Sequence, residues 1–215
     1  MELSGNMKDG GVYVGEVRGG GIRHGEGHVS YNLPGLHPGQ MMSYDGPSKN
    51  GKKQTDADHP SGVFRIAGMS TYTGEFKDGE IDGRGTRKWD DGREYTGEWH
   101  LGEMHGRGTW TSASGKDVYE GEFDSNRRQG RGTLRFEDPK GGGPCTYQGL
   151  FAAHKFHGQG SSFLKEGDFM FEGDFEQGIV QGPGTITWHK RAALAAPFVN
   201  GRPHGDKCYY RTLDG

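Results

Sequence analysis

Along residues 72–77, Tyr72, Gly74 and Phe76 alternate with Thr73, Glu75 and Lys77. A period of two predicts a β-strand with one ring-bearing and one polar face. Gly83, Gly85, Arg87 and Trp89 alternate with Arg84, Thr86 and Lys88 in the same way. Between the two runs, Asp78-Gly79-Glu80-Ile81 is turn chemistry. Residues 72–89 therefore read as an antiparallel hairpin.

The hairpin recurs down the chain. Tyr95-Thr96-Gly97-Glu98-Trp99 precedes His105-Gly106-Arg107-Gly108 and Trp110. Tyr119-Glu120-Gly121-Glu122-Phe123 precedes Gln129-Gly130-Arg131-Gly132 and Phe136. Tyr147-Gln148-Gly149-Leu150-Phe151 leads to His157-Gly158-Gln159-Gly160, and Phe171-Glu172-Gly173-Asp174-Phe175 to Gln181-Gly182-Pro183-Gly184 and Trp188. In all five copies the first ring stands 11 residues before the glycine that opens the second block. Weaker copies flank them: Tyr13-Val14-Gly15-Glu16-Val17 with His24-Gly25-Glu26-Gly27, and Phe198, Gly201 and His204-Gly205. Tyr44-Asp45-Gly46 and Gly51 fit a degenerate copy whose second strand is Gly62-Val63-Phe64-Arg65-Ile66.

A register follows if Phe76 lies opposite Gly83: Gly74 then faces Gly85, and Tyr72 faces Arg87. A glycine has no Cβ, so a ring from the opposite strand or the next hairpin can lie over it. The other face would then carry the ion pairs Glu75–Arg84, Glu98–Arg107 and Glu122–Arg131. A lone hairpin is unstable in water, so the copies must stack. The expected fold is all-β, an elongated solenoid-like single sheet of stacked antiparallel β-hairpins with little helix. Its segments are an N-terminal tail (1–12), a first repeat (13–31) and a polar insert (32–71) holding the degenerate copy (44–68). Repeats follow at 72–94, 95–118, 119–146, 147–170 and 171–193, then a partial repeat and C-terminal cap (194–215). Arg191-Ala192-Ala193-Leu194-Ala195, within 189–196, reads as the one helical turn, placed to cap the last edge.

Composition narrows the class. With 42 glycines, 30% hydrophobic residues and a mean hydropathy of -0.90, the chain lacks the aliphatic content of a compact globule. Its 11% aromatic content sets it apart from disordered chains. The net charge of -3 argues against nucleic-acid binding, which needs a basic footprint. Cys145 and Cys208 are too few for a disulfide framework, which points to a reducing compartment. Met1-Glu2-Leu3-Ser4-Gly5 contains no apolar run, and no stretch approaches the ~18 apolar residues of a membrane span. A cytoplasmic location is the expectation.

Tyr95 to Gly108 resembles the MORN (membrane occupation and recognition nexus) repeat, whose signature is Tyr-x-Gly-x-Trp/Phe, then Gly, then His-Gly-x-Gly. The resemblance covers roughly residues 13–31 and 72–206. The copies depart from it at Leu150, Val17, Asp82, Gln129 and Gln181. It implies the setting of short stand-alone family members, often cytoskeletal or ciliary and including radial-spoke components of the flagellar axoneme. It also implies two alternatives: attachment to an anionic membrane surface, or regulation of an enzyme carried on a separate chain.

No catalytic, metal or cofactor site is expected. His24, His105, His157 and His204 share one repeat slot, where turn and backbone hydrogen bonding is the simple explanation. Asp56, Asp58 and His59 lie in the insert with no second cluster at ligand spacing. Gly19-Gly20-Gly21 and Gly141-Gly142-Gly143 are not followed by a lysine-bearing helix, so neither is a phosphate cradle. The expected function is a protein-binding scaffold that grips helical or extended segments along its ring-bearing face. Candidate contact residues are Tyr72, Phe76, Trp89, Tyr95, Trp99, Trp110, Tyr119, Phe123, Phe136, Tyr147, Phe151, Phe171, Phe175 and Trp188. Arg127, Arg128, Arg131 and Arg135 form one basic group a membrane would use, and Lys49, Lys52 and Lys53 another, each charge contributing about 1 kcal/mol near an anionic leaflet.

Overall fold

The computed structural model describes the backbone of residues 2–6, and residues 11–31, 41–138, 142–164, 169–189, 191–205 and 208–212. Every regular element in them is a β-strand. The chain divides into two compact units, residues 1–106 and 107–215, the division falling inside strand β10 (Glu103–Thr111). Both units are built as open antiparallel sheets with hairpins following in chain order.

The first unit comprises β1 (Glu2–Asn6), β2 (Val12–Arg18), β3 (Ile22–Tyr31), β4 (Met42–Lys49), β5 (Lys52–Lys53), β6 (Gly62–Ile66), β7 (Ser70–Lys77), β8 (Glu80–Trp89) and β9 (Glu94–His100). Each pairs with the next, except that β5 and β6 both pair with β4. The residues read as an N-terminal tail thus include a strand, with Leu3 opposite Gly15. The second unit holds β11 (Val118–Asp124), β12 (Arg127–Glu137), β13 (Pro144–Ala152), β14 (Lys155–Leu164), β15 (Phe169–Glu176), β16 (Ile179–Trp188), β17 (Ala192–Val199), β18 (Arg202–Pro203) and β19 (Tyr209–Thr212). There β18 and β19 both pair with β17.

Half of the expected register is right and half is shifted. Tyr72 lies opposite Arg87 and Gly74 opposite Gly85, but Phe76 faces Ile81, not Gly83. The turn is tighter than four residues. Asp78 (φ 52°) and Gly79 (φ 99°) form a two-residue connection with both central residues left-handed, the geometry that matches strand twist. Lys77 and Glu80 are already paired. The slack is taken up by a bulge, where Glu75 alone stands against Asp82, Gly83 and Arg84. Gly83 has φ 106°, and a Cβ there would overlap the Glu75 carboxylate.

The bulge removes the expected ion pairs. Glu75 does not bridge to Arg84, nor Glu122 to Arg131; instead the carboxylates of Glu75, Glu98 and Glu122 lie over Gly83, Gly106 and Gly130. Glu122 Oε1 also accepts the backbone N–H of Arg131 at 3.3 Å. The strand neighbour of Arg84 is Glu98 on β9.

The rings nest on glycine. A Cβ on Gly85, Gly132 or Gly160 would run into the ring of Tyr72, Tyr119 or Tyr147. Each tyrosine then donates its hydroxyl to the carbonyl three residues on: Tyr72 to Glu75 (3.1 Å), Tyr95 to Glu98 (3.0 Å), Tyr119 to Glu122 (2.9 Å) and Tyr147 to Leu150 (2.9 Å). Tyr13 and Tyr44 do the same to Glu16 and Pro47. Phe76, Trp99, Phe151 and Phe175 each wedge edge-on between the first rings of their own and the preceding copy. Phe76 sits 5.3 Å from Tyr72 and 5.0 Å from Tyr44, and Phe151 sits 5.1 Å from Tyr147 and 4.9 Å from Tyr119.

Residues 191–196 do not form the expected helical turn. Ala192–Val199 is β17, with Leu194 opposite Ile186 and Ala196 opposite Gly184. Leu194, Ala196 and Phe198 occupy the ring, glycine and ring positions of a further copy. Leu194 has no ring to nest, so a methyl group at Ala196 is tolerated. In the insert, Tyr44 pairs with Phe64 across β4 and β6. Thr55 closes the gap after the short β5 through hydrogen bonds to both the N–H and C=O of Phe76. Pro34 and Pro38 lie outside the described residues.

Candidate binding surface

Strand alternation gives each unit two chemically distinct faces. On one face of the first unit the paired row Tyr44, Phe64, Tyr72, Arg87 and Tyr95 runs across β4 and β6–β9, flanked by the row Met42, Ile66, Ser70 and Trp89. Of the fourteen candidate contact residues, Tyr72, Phe76, Tyr95, Trp99, Tyr119, Phe123, Tyr147, Phe151, Phe171 and Phe175 are buried. Their rings are consumed by nesting and edge-on packing, which leaves no surface for a partner. Trp89, Trp110, Phe136 and Trp188 remain half-exposed, at or near the ends of return strands. Phe64, Ile66 and Met42 are half-exposed on the same face as Trp89 and were missed. Their signal was present in the alternation of 62–66, but the insert obscured which strand that run would pair with.

The basic group is dispersed. Arg128 faces Phe123 on the ring-bearing side, with its guanidinium over Tyr119 (5.6 Å) and Phe151 (5.7 Å). Arg127 pairs with Asp124, and Arg131 with Leu150, on the opposite side. Arg135, between Val118 and Thr146, joins them there. Four arginines close in sequence therefore do not make one patch.

Three cations on the ring-bearing face share one slot instead, while Arg87 stands opposite Tyr72. In the slot after the turn that pairs with the second ring position, Arg23, Lys53 and Arg128 stand in three copies and Ile81, Phe156, Val180 and Pro203 in four others. Arg23 lies 5.9 Å from the Tyr13 ring centre. Lys53 Nζ is 4.4 Å from Phe64 and 5.5 Å from Phe76. Arg87 lies 5.2 Å from Trp89, which Arg93 approaches at 5.3 Å. Burial lowers the proton affinity of Lys53, Arg87 and Arg128, opposed at Lys53 by Glu80 and at Arg128 by Tyr119 and Asp117. The sites are favourable electrostatically because the faces of the rings are negative.

By the same alternation, the Asp and Glu residues of the described strands fall on the polar face. Asp45 there accepts from His28 Nδ1 and Arg65. Burial pushes its carboxyl up, but these two partners outweigh it and hold the group below the usual carboxylate range. A shallow depression on this face is lined by Thr71, Thr73, Thr86, Lys88 and Glu94. Its two charged groups pair with each other at 3.3 Å.

The histidine slot has a positional role where other residues fill it. Gln129 accepts the N–H of Ala153, Gln181 that of Asn200, and Asp82 that of Leu101, each fixing the next copy's turn. Among the described residues no group of three or more His, Cys, Asp or Glu is placed to hold a metal.

Stacked two-residue-turn hairpins with a ring-nesting bulge define an open-sheet repeat protein. The MORN repeat matches residues 72–92, 95–116, 119–138, 147–168 and 171–191, and the chain belongs to that family. Such repeats generally serve as non-catalytic modules that bind proteins or membrane lipids. No curated protein matches the chain.

Proposed function

We propose that this protein is a non-catalytic scaffold that holds partner proteins in a cytoskeletal assembly, the axoneme of a cilium or flagellum being the setting the resemblance implies. The observation that carries the binding reading is the half-exposed apolar set Trp89, Ile66, Phe64 and Met42, lying on one face above a ring core that is already fully packed. Rings not needed for packing but kept at a surface are what a docking face requires. The dispersal of Arg127, Arg128, Arg131 and Arg135 over two faces removes the main support for a membrane role.

Proximity labelling by the full chain in ciliated cells tests this reading. Axonemal or other cytoskeletal neighbours are expected. Labelling dominated by membrane proteins, together with co-sedimentation on vesicles containing phosphatidylserine, would reverse it.

A further inference from the structure

The chain is net negative, yet the ring-bearing strand positions among the described residues of its first unit carry Arg23, Lys53 and Arg87 and no carboxylate. None of the three cations takes part in an ion pair. Arg23 donates to the Gly51 carbonyl at 2.6 Å, and Arg87 donates through Nε and Nη2 to the Ser70 hydroxyl at 3.1 and 2.9 Å. The Lys53 ammonium lies against the rings of Tyr44, Phe64 and Phe76, with Glu80 acting on it only from beyond ion-pair distance. A charge withdrawn from water this far is costly unless it is paired. The rings and these neutral acceptors repay part of that cost and leave the remaining donors without a carboxylate partner. The half-exposed Phe64 lies against Lys53 and Trp89 against Arg87, and Met42 and Ile66 continue the Trp89 row on the same face.

We propose that this face docks an acidic, amphipathic segment of a partner protein. Its carboxylates would meet Arg87 and Lys53, and its apolar side chains would lie on Trp89, Ile66 and Phe64. The complementarity is one of sign as well as shape. The polar face of the same sheet carries charges of both signs that satisfy one another, Asp45 with His28 and Arg65 and Glu94 with Lys88. Alternation thus gives the unit one face whose cations have no carboxylate partner and one on which carboxylates and cations pair with each other. Arg87 is suited to the task because the fork not used by Ser70 can grip a carboxylate. The inference rests on the scaffold reading and sharpens it by naming the partner's chemistry.

The test is selection from a random 16-residue peptide library displayed on phage, against the full chain. Enriched peptides are expected to combine Asp or Glu with Leu, Phe or Trp. Their affinity, measured by fluorescence anisotropy on synthetic copies, should fall about tenfold or more in Lys53→Gln/Arg87→Gln protein, a loss of about 1.4 kcal/mol. Arg84→Gln/Lys88→Gln protein, altered on the polar face, should bind as the parent does. Circular dichroism and the melting temperature verify that both double variants are folded. Enrichment of basic or neutral peptides, no enrichment at all, or equal losses in the two double variants each overturns the inference. So does binding of phosphatidylserine vesicles through Lys53 and Arg87 without any enriched peptide, which would assign the face to lipid headgroups. If proximity labelling still returns cytoskeletal neighbours after such a result, the scaffold reading stands and only the partner chemistry falls.

Discussion

A single hydroxyl distinguishes the copies at the residue scale. Tyr147 is buried and donates to the Leu150 carbonyl at 2.9 Å, whereas Phe171 in the equivalent place has nothing to donate. Replacing Tyr147 with Phe leaves that carbonyl without its partner and is expected to cost about 1 kcal/mol in chemical denaturation. Phe171→Tyr should do the reverse, raising stability by roughly 0.5–1 kcal/mol through a new bond to the Asp174 carbonyl. A drop in denaturation midpoint for Phe171→Tyr would show that the site has no room for the oxygen. Gly85→Ala is harsher. Its methyl group would enter the Tyr72 ring, which Phe76 and Trp99 hold edge-on at 5.3 and 5.4 Å. Neither ring can yield without moving a neighbouring copy, so a loss of about 3 kcal/mol is expected. A melting temperature unchanged from the parent would refute the nesting account.

At the scale of the hairpin, the turns decide stability. Asn50-Gly51, Asp78-Gly79, Leu101-Gly102 and Asn200-Gly201 place glycine second in the two-residue connection, but Ala153-His154 has φ 46° and 72° with no glycine. A left-handed non-glycine residue costs roughly 1–2 kcal/mol. His154 recovers little, since its Nδ1 accepts the Arg128 N–H only at 3.4 Å. His154→Gly is therefore expected to raise stability by about 1 kcal/mol, read from the urea midpoint at constant slope. The turn is also where sequence reasoning stopped short. Period-two alternation located the strands and paired Tyr72 with Arg87, because that part of the hairpin is regular. It misplaced Phe76, because a tight turn followed by a bulge uses the same number of residues as a longer loop. The conformation of Gly83 and the carboxylate of Glu75 make the choice between them. Ala192 to Ala195 looked helical from intrinsic propensity, which the exposed edge of β16 overrides by offering a row of hydrogen-bonding partners. The candidate rings were found by the same alternation that found the core, and alternation cannot separate a ring that packs from one that waits for a partner. The row of cations was half legible: Arg87 shares the parity of Tyr72, whereas Lys53 could be placed only once β5 was known to pair with the end of β4.

For the molecule as a whole, repetition turns a local property into a global one. The same buried tyrosine supports copies in both units, so alkali strikes every copy that has one. Burial raises the pKa of the Tyr119 and Tyr147 hydroxyls to about 12 and drives those of Tyr44 and Tyr72 higher still. In an unfolded chain a tyrosine ionises near ~10. A raised folded pKa means that the native state holds protons the unfolded state has released. The contribution is therefore complete below pH ~10 and drains away as the pH climbs toward 12. Tyrosinate absorbance and the loss of the β-sheet circular dichroism signal should consequently rise together, in one steep step inside that window. Phe171 places no hydroxyl in its copy, so the Phe171→Tyr protein should gain stability at neutral pH yet fall more steeply above pH 10. Tyrosines that titrate independently near pH 10 while the sheet signal stays constant would mean that the rings are open to water, and that nesting on glycine does not hold the copies together.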